Sequence, residues 1–102
     1  MNEVKHVTKL ADLVQIISEN KNTAIKFSTA WCGPCKVYGP QFEKYAAEFP
    51  DAVFVSVDLT EDEEISAQFG ITNIPTTVFT KDGKEAVRHM GILPKAKFTE
   101  NL

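Results

Sequence analysis

Thr23-Ala24-Ile25-Lys26-Phe27-Ser28 runs through Thr29-Ala30 into Trp31-Cys32-Gly33-Pro34-Cys35-Lys36, and this stretch sets two thiols where a strand gives way to a helix. Cys32 and Cys35 are the only cysteines among the 102 residues, so all the sulfur chemistry lies at one place. Two thiols with two residues between them can close a small ring as a disulfide, and the pair can gain or lose two electrons by itself. A reversible dithiol is the leading reading of the pair.

Outward from the cysteines, the elements alternate. Leu10, Leu13, Val14, Ile16 and Ile17 recur at near-helical spacing and predict a helix over residues 9–20. After the pair, Val37, Tyr38, Phe42, Tyr45, Ala46 and Phe49 describe a second, amphipathic helix, interrupted and kinked at Gly39-Pro40 because proline lacks the N–H of an interior position. Ala52 to Asp58 is the most apolar run and reads as the central strand, buried on both faces. Thr60-Glu61-Asp62-Glu63 has the spacing of a capping box and opens a short helix through Phe69, which accounts for the acidic run without a metal site. Thr76 to Phe79 and Glu85 to His89 are strands joined by a tight turn at Lys81-Asp82-Gly83-Lys84, and Lys95 to Leu102 has room for one short helix. With Val4 to Val7 as a first strand, the order β, α, β, α, β, α, β, β, α predicts an α/β fold: a mixed sheet with helices on both faces.

The length suits one domain over residues 1–102, and 43% hydrophobic with 25% charged residues is the composition of a globular protein. A net charge of −3 with scattered lysines leaves no stripe to neutralise phosphates, so no nucleic-acid partner is expected. No run approaches the roughly 20 apolar residues of a membrane helix, and Met1-Asn2-Glu3-Val4-Lys5-His6 lacks the apolar stretch of a signal peptide. A monomer in the reducing cytoplasm, away from membranes, is therefore expected. There a close cysteine pair is catalytic, redox-sensing or metal-binding rather than structural. Zinc would need two more ligands, and neither His6 nor His89 has ligand spacing to the pair. His89, alternating with Val87, reads as a partly exposed sheet residue, and Tyr38 and Tyr45 as core or boundary. No phosphate loop or nucleotide fingerprint is present, so no cofactor is expected and electrons must come from another protein.

Trp31-Cys32-Gly33-Pro34-Cys35-Lys36, Pro40 in the following helix, Asp58 after the apolar strand, Ile74-Pro75-Thr76 before the hairpin and Gly91 after it together resemble the thioredoxin family, over nearly the whole chain and in the same order. The resemblance implies the thioredoxin fold and reduction of disulfide-containing protein substrates, with regeneration by thioredoxin reductase. Cys32, at a helix N-terminus where free N–H groups and the dipole favour an anion, would be the nucleophile. Thioredoxins are themselves the reference example of a C-x-x-C thiol with lowered pKa, so this direction is inherited from the family. Cys35, one turn further in, would be more buried and would resolve the mixed disulfide. Gly33 permits close approach of a substrate backbone, and Pro34 suits the first helical turn. Most X–Pro bonds are trans. The resemblance reverses that expectation for Pro75, placing a cis proline beside the dithiol with the Ile74 backbone pairing to the substrate chain. Trp31 and Gly91 would complete an apolar rim, with Trp31 exposed.

Lys26 departs from the family, which usually carries an aspartate there beneath the pair. Asp58 is its expected partner by resemblance. Three readings stand side by side: a lysine shifted toward a neutral base for the Cys35 proton, a cation that stabilises thiolate and makes the protein a poorer reductant, or a side chain that reaches water along a buried stem with little redox effect. A second function class is also open, a thioredoxin-fold binding module or assembly subunit in which redox activity is secondary. Thiol oxidases of this fold generally vary the two residues between the cysteines, and Gly33-Pro34 points toward reduction.

Overall fold

In a computed structural model, which describes residues 2–60 and 63–102, the nine expected elements appear in the expected order. They are β1 Lys5–Val7, α1 Leu10–Glu19, β2 Asn22–Ser28, α2 Gly33–Glu48, β3 Val53–Asp58, α3 Glu63–Phe69, β4 Thr76–Lys81, β5 Lys84–Met90 and α4 Lys95–Asn101. The capping box expected at Thr60–Glu63 extends over residues 61 and 62, outside the described residues.

The five strands form one mixed sheet in the order β1-β3-β2-β4-β5. β1, β3 and β2 are parallel, whereas β2–β4 and β4–β5 are antiparallel. β2 therefore holds the centre, a correction to the expectation for Ala52–Asp58. Burial follows strand position rather than apolar content: β2 is buried from Thr23 to Phe27 despite containing Lys26, whereas the more apolar β3 is only half-buried at Val53 and Ser56. Asp82 and Gly83 both take positive φ, 51° and 83°, as a two-residue hairpin with the right-handed strand twist requires.

Alternation along β2 sorts the core onto two faces. Ile25 and Phe27 pack with Leu13 and Ile17 of α1, Ile65 of α3 and Val55, Val57 and Val78 of the sheet. Ala24 points the other way, into a cluster with Tyr38, Phe42 and Ala46 of α2, Phe54 and Phe79 of the sheet, and Phe98 of α4. Helices thus cover both faces, two on each. The second helix is not interrupted: α2 runs 16 residues with Pro40 inside it. Proline removes one backbone donor, but the buried stripe Cys35, Tyr38, Phe42 and Ala46 spans both sides of Pro40 and holds the two halves to the same sheet face.

Candidate active site

The site gathers at one end of the sheet, at the carboxyl ends of the parallel strands β2 and β3, where ligand crevices of open α/β sheets lie. Phe27 pairs with Thr76 and Thr76 with Met90, so the β2–α2 loop, the start of β4 and the end of β5 share that end. The loop is braced from β3: Leu59 N–H donates to Ser28 O at 2.8 Å, and Ala30 N–H donates to Thr60 Oγ1 at 2.8 Å. Thr60 N–H in turn donates to Asp58 Oδ1 at 2.8 Å.

Cys32 and Cys35 are joined by a disulfide, with their Cα atoms 5.2 Å apart. Cys32 is the N-cap of α2, and its sulfur accepts the Cys35 N–H at 3.2 Å. That acceptor position is where a thiolate gains most from the unpaired donors and dipole of a helix start. Pro34 occupies the first turn, where its missing N–H costs little. The two cysteines do not differ in burial as expected: Cys32 is 8% exposed and Cys35 6%. The asymmetry between them therefore lies in helix position, Cys32 as N-cap and Cys35 within the first turn, rather than in coverage.

Above the pair, Trp31 is 80% exposed, in line with the expectation of a rim residue. Ile74 is at the surface, Pro75 is buried, and the peptide between them is cis. Gly91, at φ 89°, donates its N–H to Pro75 O at 2.8 Å, which ties the end of β5 to the proline. Met90 and Ile92, both exposed, flank Gly91 and enlarge the apolar rim. Sequence reading missed these two; their position on either side of Gly91 was the available signal. On the α3 side of Ile74, a cavity of about 570 Å³ is lined by Thr29, Leu59, Ser66, Ile71, Asn73 and Ile74.

Lys26 is nine-tenths buried on the α2 face of β2, between Ser56 of β3 and Thr77 of β4. Its Nζ lies 5.5 Å from the Phe42 ring centroid, and a methyl group on Gly39 would sit 3.6 Å from it. Asp58 is not its partner, contrary to expectation: that carboxylate is exposed and turned to the Thr60 N–H. Burial lowers the Lys26 pKa, and the charge of Glu43, on α2, partly restores it. No buried side-chain nitrogen or oxygen among the described residues lacks a partner, so the ammonium keeps some solvent contact at the end of a covered stem. Gly39 is one turn beyond Cys35 on the same helix stripe, which sets the lysine charge within roughly two turns of the resolving thiol. Tyr38, also on that stripe, is fully buried and shares a 2.7 Å hydrogen bond with Thr77. Burial drives its pKa far up, which keeps it neutral. His89 is half-buried with its ring edge-on to Phe79, a sheet residue as read from the sequence.

A family model described as Thioredoxin matches residues 3–102. The thioredoxin of Mycoplasmoides gallisepticum is 43% identical over 99 residues, covering 97% of this chain and 99% of that protein. The thioredoxin of Mycoplasma genitalium is 41% identical over 97 residues, 95% of each. Among solved structures, Malassezia sympodialis thioredoxin superposes with a TM-score of 0.90 at 31% identity, over 99% of this chain and 92% of that one. Fasciola hepatica thioredoxin gives 0.86 at 39% identity, over 94% and 93%. With paired cysteines closing a disulfide at the head of α2 and these likenesses along its full length, the chain belongs to the thioredoxin family and is a thiol–disulfide oxidoreductase that reduces protein disulfides.

Proposed function

We propose that Cys32 attacks a substrate disulfide and Cys35 resolves the mixed disulfide, in a protein that works as a monomer in the cytoplasm and is recharged by a thioredoxin reductase. The observation that carries this assignment is the Cys32 sulfur accepting the Cys35 N–H at the start of α2. For a thiolate there the Cys35 N–H replaces one donor lost from water, and the sulfur faces the positive end of a 16-residue helix, whereas Cys35 is inside the first turn, on the buried stripe. In the forward step the Cys32 thiolate bonds to one substrate sulfur and expels the other as thiolate. Cys35, on losing its proton, then bonds to Cys32 and expels the second substrate sulfur as thiolate, so two electrons and the Cys35 proton leave the protein over the two steps.

The substrate chain lies across the rim formed by Trp31, Gly33, Pro34, Ile74, Pro75 and Gly91. Exposed Ile74 presents its backbone to that chain while Pro75 beneath it is covered, which supports pairing through main-chain hydrogen bonds and a broad choice of substrates. Lys26 acts here as a cation that favours the reduced, thiolate-bearing form. Solvent contact at Nζ and the neighbouring Glu43 charge support the charged state over the neutral base.

Insulin reduction driven by NADPH and a thioredoxin reductase tests the assignment. Turnover is expected for the wild type and loss by at least about a hundredfold for Cys32→Ser, since no second nucleophile replaces the first. Absence of turnover by the wild type, with partner binding that survives Cys32→Ser, would instead mark a binding module.

A further inference from the structure

The loop from Gly70 to Pro75 carries the Ile74 backbone, and its two ends are held by the same strand. At the far end Gly91, just past β5, donates to Pro75 O. At the near end is Arg88 of β5. Its Nη2 donates to Phe69 O at 2.7 Å and its Nη1 to Gly70 O at 3.2 Å.

These two carbonyls need an outside donor. α3 closes with Ile71 N–H on Ser66 O at 3.0 Å and Gly70 N–H on Ala67 O at 3.4 Å, Gly70 taking a left-handed φ of 62°. That pair of bonds is a Schellman motif, which leaves the carbonyls of Phe69 and Gly70 beyond its reach. A guanidinium suits the place twice over, as a fork of donors and as a positive charge at a helix C-terminus.

The guanidinium is aimed from its own strand. Glu85 accepts from Arg88 Nε at 2.7 Å and from Nη2 at 2.7 Å, a bidentate pair. Residues three apart on a regular strand point to opposite faces. Here the ladder shifts between Phe79 and Thr80: Phe79 faces Val87 while Thr80 faces Glu85, so Ala86 is an extra residue. The bulge turns Glu85 onto the same face as Arg88, the face that α3 packs against. Each group bears the mark of the other, the Glu85 carboxyl held below its ordinary range and Arg88 held further up, by their mutual hydrogen bond.

We propose that Arg88, aimed by Glu85 across the bulge at Ala86, is a positioning residue for protein-substrate recognition: it fixes the start of the Gly70–Pro75 loop so that the Ile74 backbone meets the incoming chain in register. The inference rests on the reading that Ile74 pairs with substrate backbone. It places a determinant of substrate affinity on the far edge strand, with no contact to the thiols. Chemistry at the sulfurs and the equilibrium of the dithiol are independent of it.

The test uses the full chain with a disulfide-bridged peptide and the same peptide N-methylated at the amide expected to meet Ile74. Arg88→Gln is expected to raise KM for the unmethylated peptide about two- to tenfold, the range of one or two partly exposed hydrogen bonds. Its kcat, its reduction potential and its rate with a small aromatic disulfide should stay near wild type, a split that general loss of structure would not produce. KM for the N-methylated peptide should change little, because that peptide has already lost the pairing. Arg88→Lys should recover part of the effect, since an ammonium reaches one carbonyl but cannot hold the bidentate Glu85. Glu85→Gln, which keeps the arginine but loosens its aim, should shift KM in the same direction by less. If wild type treats both peptides alike, the Ile74 reading fails and the proposal falls with it. If wild type discriminates and Arg88→Gln does not raise KM, or raises it equally for both peptides, the positioning role alone is overturned.

Discussion

Lys26 is where the chain departs furthest from the pattern of its cysteines. A cation nine-tenths covered by a β-sheet and a helix is destabilising unless something offsets its desolvation, and here the offsets are modest: the Phe42 ring, the Glu43 charge and residual water. Two consequences can be measured on Lys26→Met, which keeps the stem and removes the charge. The first concerns the dithiol. Removing a cation that favours thiolate should make the reduction potential more negative, by on the order of 10–30 mV, and an unchanged potential would contradict the assigned role. The second concerns stability. A base whose pKa is lowered by folding binds fewer protons folded than unfolded, so stability rises with pH between the lowered value and the ordinary 10.5. The methionine variant should therefore gain most over wild type near neutral pH, and its advantage should shrink as pH approaches 10.5. Thermal unfolding of the oxidised proteins across that interval reads this directly. The presence of the lysine was plain from the sequence, whereas its partner was not. Family resemblance points to Asp58, but that carboxylate is engaged by Thr60 N–H, and the charge that acts on Lys26 comes from the helix above it.

The elements themselves were largely legible, because hydrophobic periodicity and turn chemistry are local. Asp82-Gly83 specified the hairpin through positive φ, and the Cys-Gly-Pro-Cys step marked the head of α2. What depended on neighbours was not legible. α2 continues through Pro40 because its buried stripe is held on both sides of the proline, and β2 rather than β3 lies at the centre because pairing, not apolar content, fixes strand order. The bulge at Ala86 is of the same kind: nothing in Lys84-Glu85-Ala86-Val87-Arg88 marks an extra residue until β4 is laid beside it. Deleting Ala86 should restore a regular ladder and carry Glu85 to the opposite face. The Glu85 carboxyl, now held low by Arg88, should then titrate at an ordinary carboxylate value when followed by NMR. A carboxyl that stays low after the deletion would show that the bulge does not set the pair.

At the scale of the whole molecule, one end of the sheet collects the disulfide and the residues proposed to meet the substrate chain. Parallel β2 and β3 deliver the dithiol loop and its brace, while antiparallel β4 and β5 deliver Ile74-Pro75 and the Met90-Gly91-Ile92 rim. The two faces of the sheet are filled by the two apolar clusters, with Lys26 set against Phe42 on the α2 side. This division explains how a small chain can hold a reactive disulfide: the core supplies stability, and the loop ends are left to position sulfur, backbone and apolar rim. In the proposed mechanism the two cysteines have unequal roles set by α2, Cys32 as attacking sulfur and Cys35 as resolving one. Mass spectrometry of the reduced single-cysteine variants, mixed with a disulfide-bonded protein substrate, tests it most directly. Cys35→Ser should accumulate a mixed disulfide mapped to Cys32, and Cys32→Ser should form little or none at Cys35; comparable trapping by Cys32→Ser, or no trapping by Cys35→Ser, would overturn these roles.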